Sequence, residues 1–204
     1  PKSSQNKPLQ KKSKIILESG KLHAEENGVS DPKMCLRKGR LLDNILDFKN
    51  ELSITVIGKY GKNHQGMSSK ERSIGHKVEG IVKKVNLPLL IVSEDYIEPK
   101  SLMFAYDGSN GANKVLDFLC SDLKESHLDV EMVYFGEDIE KNQMMLSTAK
   151  EKLEKSNFKV KEKIISEKIE DSLSEFLLKN NSDILAMGAF GHGPLRKIFV
   201  GSFT

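Results

Sequence analysis

The sequence is poor in cysteine, lacks tryptophan and contains no long apolar run. Its two cysteines, Cys35 and Cys120, form no CxxC pair and have no histidine at ligand spacing, which argues against a disulfide framework and a structural metal site. No segment reaches the roughly 18 apolar residues that a bilayer-spanning helix needs, and no signal-peptide pattern opens the chain. We therefore expect a cytoplasmic protein with no membrane partner and no metal ligands.

The charge balance argues against a dedicated nucleic-acid binder. The 32 basic and 29 acidic side chains leave a formal net charge of only +3, whereas such binders usually carry a strongly basic face. The sequence also lacks GxSxG, Walker and HxxxH patterns. His64 and His192 have no neighbouring carboxylate that would make either a general base or a metal ligand. We assign no catalytic residue.

The chain repeats part of itself. Lys49–Gly61 reads KNELSITVIGKYG and Lys179–Gly191 reads KNNSDILAMGAFG. A shift of 130 positions superimposes Ile54 on Ile184, Gly58 on Gly188 and Gly61 on Gly191. Apolar residues three or four apart precede both segments, which predicts an amphipathic helix before each buried strand. Each copy therefore predicts a helix, a turn, a strand and a glycine loop.

Further segments continue this alternation of strands and helices. PLLIV, LMFAY and Asp129–Phe135 are short apolar runs that predict strands. Asn113–Lys124 and Lys141–Ser156 have apolar residues at helical spacing. Alternating strands and helices favour an α/β fold with open, doubly wound, Rossmann-like parallel sheets, here in two tandem units. We place the units at residues 1–96 and 97–204.

The segment Met187–Thr204 carries the chemistry. Gly188 and Gly191 follow a predicted strand, and nine residues separate Gly191 from Gly201 and Ser202. Glycines at a strand end allow the backbone to approach a ligand closely. Backbone N–H groups of such a loop can bind phosphate oxygens, and the hydroxyls of Ser202 and Thr204 add donors. Arg196 and Lys197 are better explained as part of a solvated helix face.

This Gly-x2-Gly-x9-Gly-Ser spacing resembles the ATP-binding motif of universal stress proteins, a family with an adenine nucleotide alpha hydrolase-like fold. A second family feature is an aspartate in a DGS context after the first strand, which is similar to Asp107-Gly108-Ser109 here. The residues alone leave open whether Asp107 contacts a ligand or serves as a helix cap or turn residue.

The resemblance implies the roles of the site residues. It places Asp107 near the ribose or adenine and the strand end around Phe135 against adenine through its backbone. It assigns the phosphates to the loop: Gly188, Gly191, Gly201, Ser202 and Thr204. The implied ligand is ATP with Mg²⁺, and no covalent cofactor is implied.

The first unit departs from this motif. Thirteen residues instead of nine separate Gly61 from Gly75, and His76 stands where the family has Ser or Thr. We expect the first unit not to bind ATP in the family manner but to serve as the pseudo-dimer partner of the second. The resemblance also leads us to expect a fragment, with the opening strand–helix–strand of the first unit and the closing helix and strand of the second outside it.

The leading hypothesis is a stress-response protein that binds ATP in its second unit as a regulatory ligand and is not an enzyme. The alternative is a nucleotide-free regulatory or scaffold member of the same family, and a slow ATPase is a third reading. Pairing is expected within the chain, with a homodimer as a further option.

Overall fold

The computed structural model describes residues 6–58, 80–82, 84–85, 87–92, 96–166, 180 and 182–188. By its internal contacts the chain divides into two compact units, Pro1–Asp47 and Phe48–Thr204. None of the helices in these ranges is long and apolar enough to cross a membrane.

The first compact unit contains two helices. Helix α1 spans Asn6–Glu26 and α2 spans Leu41–Asp47. Gly28 lies two residues after the end of α1, and its φ of +86° is a conformation that glycine adopts without strain. The next N–H, from Val29, donates to the Ala24 carbonyl at 3.0 Å and so closes the last turn. Helix α2 confirms the amphipathic helix that was predicted before the first glycine strand.

The second compact unit contains two parallel sheets. The smaller sheet pairs β1 (Thr55–Gly58) with β2 (Leu89–Val92), with Thr55 opposite Leu89. The larger has the order β5-β4-β3-β6, all of its pairs being parallel. Its strands are β3 (Ser101–Ala105), β4 (Asp129–Phe135), β5 (Lys159–Ile165) and β6 (Ile184–Met187), and its helices are α3 (Asn110–Asp122) and α4 (Glu140–Glu154).

The larger sheet is buried on both faces along its central strands. Side chains alternate between the faces because successive residues of a strand point in opposite directions. One face packs with α3 and α4 into the main core: Leu102, Phe104, Tyr106, Val130, Met132, Leu116, Leu119, Leu146 and Leu153 are among its buried members. The other face forms a smaller cluster of Met103, Ala105, Val133 and Phe135.

Asp183 fastens the amino end of β6 to the start of β3. Its Oδ2 accepts hydrogen bonds from the N–H of Lys100 at 2.9 Å and from the N–H and hydroxyl of Ser101 at 3.0 and 2.9 Å. These donors favour the charged carboxylate, with the Lys100 N–H as the largest cause, and they lower the pKa of Asp183 below its ordinary value. The register between β3 and β6 is thereby held at its starting end.

The α/β class and the open parallel sheets predicted from the sequence are confirmed. All strands predicted from apolar runs are present, whereas α1 and β5 were not predicted. The helix predicted at residues 172–177 lies outside the described residues. The predicted unit boundary at residues 96 and 97 falls between the two sheets, inside the second compact unit, and stays a prediction.

Candidate functional site

The loop that follows β3 is held by two short-range hydrogen bonds. Oδ1 of Asp107 accepts the N–H of Ser109 at 3.0 Å, which closes a turn. The hydroxyl of Ser109 then accepts the N–H of Ala112 at 3.2 Å and caps α3. Ser109, and not Asp107, is therefore the helix cap. Oδ2 of Asp107 has no hydrogen bond to any described residue.

A side-chain pair fixes the same loop from the core side. The hydroxyl of Tyr106 donates to Oδ1 of Asn113 at 2.8 Å, and Nδ2 of Asn113 donates to the carbonyl of Gly108 at 2.9 Å. Burial raises the pKa of Tyr106, so the tyrosine stays a neutral donor. The carbonyl of Gly108 and the turn between Asp107 and Ser109 are thereby held in one arrangement.

Gly108 occupies a conformation and a space that only glycine fits without strain. Its φ is +70°, and a Cβ built on it would lie 2.5 Å from Sδ of Met145 in α4. An L side chain at this φ costs about 1–2 kcal/mol. The glycine of the DGS segment is therefore required by the local backbone.

Gly188 lies at the carboxyl end of β6, against the first turn of α3. A Cβ built on Gly188 would lie 2.6 Å from the backbone nitrogen of Ala112 and 2.9 Å from the carbonyl carbon of Gly111. Backbone atoms cannot move aside as a flexible side chain can. The missing side chain thus permits a close strand–helix contact, and it brings Gly188 to the loop of Asp107.

Phe135 ends β4 at the same edge of the sheet. The β3–β4 ladder closes with the Tyr106 N–H donating to the Val133 carbonyl at 3.0 Å, so Phe135 lies two residues further along. The N–H of Gly136 donates to the Ile165 carbonyl at 2.9 Å, which continues the pairing of β4 with β5. The Phe135 side chain is buried in the smaller cluster, on the face opposite α3 and α4.

The connections of β3 make this edge a reversal point of the sheet. The chain leaves β3 through α3 to β4 on one side, and β6 lies on the other side of β3. In open parallel sheets, ligands bind at the carboxyl ends of the strands where the order reverses. Asp107 follows β3 and Gly188 follows β6 at that position, because Ala105 and Met187 pair at the ends of the two strands. Among the described residues no group of three or more His, Cys, Asp or Glu side chains is placed to hold a metal ion.

The remaining predicted site residues lie outside the described residues, and the structure does not test their roles. They are Gly191, Gly201, Ser202 and Thr204, together with His64, His76, His192, Arg196 and Lys197 of the sequence argument. Of the seven predicted binding residues, the structure therefore places Asp107, Phe135 and Gly188 at one edge of one sheet.

Comparison with known proteins agrees with this fold. No family model matches the sequence. Universal stress protein Slr1230 of Synechocystis sp. is 28% identical over 195 residues, which cover 95% of this chain and 67% of that protein. The crystal structure of a universal stress protein from Archaeoglobus fulgidus DSM 4304 superimposes with a TM-score of 0.72 at 18% identity, covering 98% of this chain and 73% of that one.

The chain is therefore similar to universal stress proteins in sequence and in fold. A further universal stress protein, solved in complex with cAMP, covers 51% of this chain at 16% identity with a TM-score of 0.40. A similarity of that extent says nothing about the ligand of this chain.

The sequence did not reveal the residues that shape the loop after β3. Tyr106, Asn113 and Met145 hold the DGS segment, but no short motif links them. The contact between Gly188 and Ala112 joins residues far apart in the chain, so a single sequence carries no sign of it.

A separate open groove of about 510 Å³ lies beside α4 and β5 of the same protein. Its lining mixes acidic, basic and apolar side chains, and it includes none of the predicted site residues. The lining consists of Asp138, Gln143, Met144, Leu146, Ser147, Glu162, Lys163 and Ile164.

Proposed function

We propose that this chain is a universal stress protein, that it binds ATP at the carboxyl edge of its four-stranded sheet, and that the nucleotide acts as a regulatory ligand in a cytoplasmic stress response. Turnover is not part of the proposal. The observation that carries it is the position of Asp107 and Gly188 just after the paired ends of β3 and β6, at the reversal point of the sheet where ligands bind in open α/β folds.

The proposed roles follow the chemistry of each group. The carboxylate of Asp107 accepts hydrogen bonds only, which suits ribose hydroxyls or the adenine amino group. The end of β4 around Phe135 offers backbone groups to adenine. Gly188 lies against the first turn of α3, so the proposed phosphate loop begins at the amino terminus of that helix, where the helix dipole favours an anion. Gly191, Gly201, Ser202 and Thr204 complete the proposed phosphate site, with Mg²⁺ on the phosphates.

The nucleotide-free regulator is the second candidate, because one glycine of the motif has a structural role that needs no nucleotide. Gly188 already has a structural reason to be glycine, since any side chain would collide with the backbone of Ala112. That glycine would be required with or without a phosphate, so its presence alone does not distinguish the two candidates.

The first test is chemical. Stringently purified protein is denatured and removed, and released nucleotide is identified by chromatography and mass. About one adenine nucleotide per chain supports the proposal, and an ATP/ADP mixture would call for an ATPase assay. Protein that releases none and shows no heat on titration with Mg-ATP favours the nucleotide-free regulator.

The second test assigns the site. Asp107→Asn keeps an oxygen that can accept the Ser109 N–H but removes the charge, so the loop is preserved. We expect the affinity for Mg-ATP to fall roughly 10-fold, the size of a hydrogen bond to a charged group. Asp129→Asn, an exposed aspartate at the amino end of β4, is the matched control and should bind as the wild type does. Equal affinities for the wild type and both variants would remove Asp107 from the site.

A further inference from the structure

The chain contains two Asn-Gly dipeptides, Asn27-Gly28 and Asn110-Gly111. In this dipeptide the backbone nitrogen of the glycine can attack the side-chain amide of the asparagine, because glycine has no Cβ to obstruct the approach and its backbone turns freely. Both asparagines are exposed to solvent. The two dipeptides differ in the hydrogen bonds of the groups that would react.

Hydrogen bonds hold both reacting groups of Asn27-Gly28. Nδ2 of Asn27 donates to the carbonyl of His23 at 2.8 Å, and the N–H of Gly28 donates to the carbonyl of Glu25 at 3.1 Å. The Gly28 nitrogen must leave its bond, and the Asn27 amide must turn away from His23, before the two can react. The structure therefore protects this asparagine.

The reacting groups of Asn110-Gly111 are not held in this way. The dipeptide opens α3, where the first N–H groups have no partner within the helix. The hydroxyl of Ser109 caps the N–H of Ala112, which leaves the N–H of Gly111 outside the cap. Within the part of the chain that the structure describes, neither the Asn110 side chain nor the Gly111 N–H makes a hydrogen bond. No such bond has to break before they react.

We propose that Asn110 is a site of spontaneous deamidation, and that the carboxylate formed there weakens the binding of nucleotide phosphates at the carboxyl edge of the four-stranded sheet. The modification itself follows from the contacts of Asn110 and Gly111. Its effect on nucleotide rests on the proposed function.

The reaction needs only water as a second reactant. The Gly111 nitrogen forms a bond to Cγ of Asn110 while the bond between Cγ and Nδ2 breaks. Ammonia leaves with the proton that the Gly111 nitrogen gives up, and a cyclic succinimide remains. Water then adds to either ring carbonyl and opens the ring to aspartate or isoaspartate. The net change at neutral pH consumes one water, releases one ammonium ion and leaves one carboxylate, without oxidation or reduction.

The position of Asn110 gives the new charge a consequence. The first turn of α3 carries no acidic side chain, although the helix dipole favours an anion there. Ala112 of the same turn lies against Gly188, where the proposed phosphate loop begins. A carboxylate at residue 110 would repel the phosphates, while it would interact favourably with the helix dipole. The aspartate product should therefore lose affinity for nucleotide without losing stability.

Peptide mapping tests the modification. The whole chain is kept at mildly alkaline pH, and mass spectrometry follows the peptide of each Asn-Gly dipeptide over time. In native buffer Asn110 should convert faster than Asn27, and in guanidinium chloride the two rates should converge because the hydrogen bonds around Asn27 are lost. Asn110→Gln is the control, since its longer side chain closes a ring far more slowly. Native protein in which Asn27 converts as fast as Asn110 would overturn the proposal.

Titration with Mg-ATP tests the consequence. Asn110→Asp should raise the Kd about 10-fold, and by less in high salt, while its urea midpoint stays at or above that of the wild type. Asn27→Asp is the matched control and should bind as the wild type does. If Asn110→Asp also binds as the wild type does, the effect on nucleotide is refuted and the proposed function stands. A wild type that binds no Mg-ATP would refute the proposed function together with this effect, and the peptide map would still decide whether Asn110 is modified.

Discussion

Strands β1 and β6 carry the same sequence pattern but have different surroundings. Gly58 at the end of β1 is exposed, whereas Gly188 at the end of β6 is buried against the first turn of α3. Asp183 binds the start of β6 to β3 with three hydrogen bonds, and the matching position before β1 is the exposed Ser53. The repeat therefore preserves the strand and its glycine turn, while the neighbouring elements decide what the glycine does.

Helices α1 and α4 show the same difference. A shift of 131 positions superimposes Ile15 on Leu146 and Leu22 on Leu153, yet Leu153 lies fully inside the core and Leu22 is exposed to solvent. A helical stripe shows where a helix can pack, but it does not show whether a partner is present. This distinction leads to four comparisons between variants.

Replacing the matched leucines should give the largest difference. Leu153→Ala removes a side chain with 0% exposure and leaves a cavity, which lowers the free energy of unfolding by about 2–5 kcal/mol. Leu22→Ala at an exposed position should change it by less than about 0.5 kcal/mol in dilute protein. Urea unfolding followed by circular dichroism measures both. Equal losses would mean that Leu22 is also a core residue of the isolated chain.

Replacing the matched glycines should come next. Gly188→Ala forces a Cβ to within 2.6 Å of the Ala112 nitrogen, and such overpacking costs about 1–3 kcal/mol. Gly58→Ala places a methyl group at an exposed strand end and should cost less than about 0.5 kcal/mol. The urea midpoints of the two variants give the comparison. If Gly188→Ala unfolded like the wild type, the close strand–helix contact would be refuted.

Much of the fold could be predicted from local pattern. Apolar runs such as PLLIV and LMFAY predict parallel strands. The LMFAY strand is buried, whereas the PLLIV strand is half-buried with Val92 exposed. Strand β5 was missed because KVKEKII carries four charges, which is usual on an edge strand that must resist pairing with other chains. Helix α1 was missed because its lysine-rich amino half obscures the apolar stripe of Ile15 and Leu22.

The candidate site was predictable in part. Gly188 was predicted because a glycine at a strand end allows the backbone to approach a ligand closely. Asp107 was predicted from the resemblance of its DGS segment to the family motif, and its role stays a prediction. The supporting contacts could not be found, since the bond between Tyr106 and Asn113 and the contact of Gly108 with Met145 depend on how α3 and α4 pack. Packing of distant segments leaves no periodic trace in one sequence.

A third pair of variants separates backbone strain from packing. Gly108 and Gly28 both have positive φ, but a Cβ on Gly108 would meet Met145 whereas one on Gly28 would meet nothing within 4 Å. Gly28→Ala should cost about 1–2 kcal/mol from strain alone. Gly108→Ala should lower the free energy of unfolding by about 1 kcal/mol more than Gly28→Ala does, because its Cβ meets the sulfur of Met145. Adding Met145→Ala should not recover the part of the loss that comes from backbone strain. Identical losses for the two single variants would show that Met145 simply moves aside.

The smallest effect is expected at Asp183 and should depend on pH. Backbone and hydroxyl donors lower the pKa of the folded Asp183 below 3.8, so its contribution to stability is complete above that pH and disappears as the pH falls through the lowered pKa. The urea midpoint of Asp183→Asn should therefore lie below that of the wild type at neutral pH, and the two should converge in acid.

The exposed Asp129, at the start of β4, gives the control variant Asp129→Asn, whose difference from the wild type should stay near zero throughout. Ser53→Asp places a carboxylate before β1, where the donors of Lys100 and Ser101 have no counterpart among the described residues, and it should not reproduce the pH dependence. A gap between the wild type and Asp183→Asn that persists unchanged from about pH 6 to about pH 2 would show that the charge of Asp183 does not hold β6 to β3, and the two strand ends would then differ in sequence without differing in electrostatics.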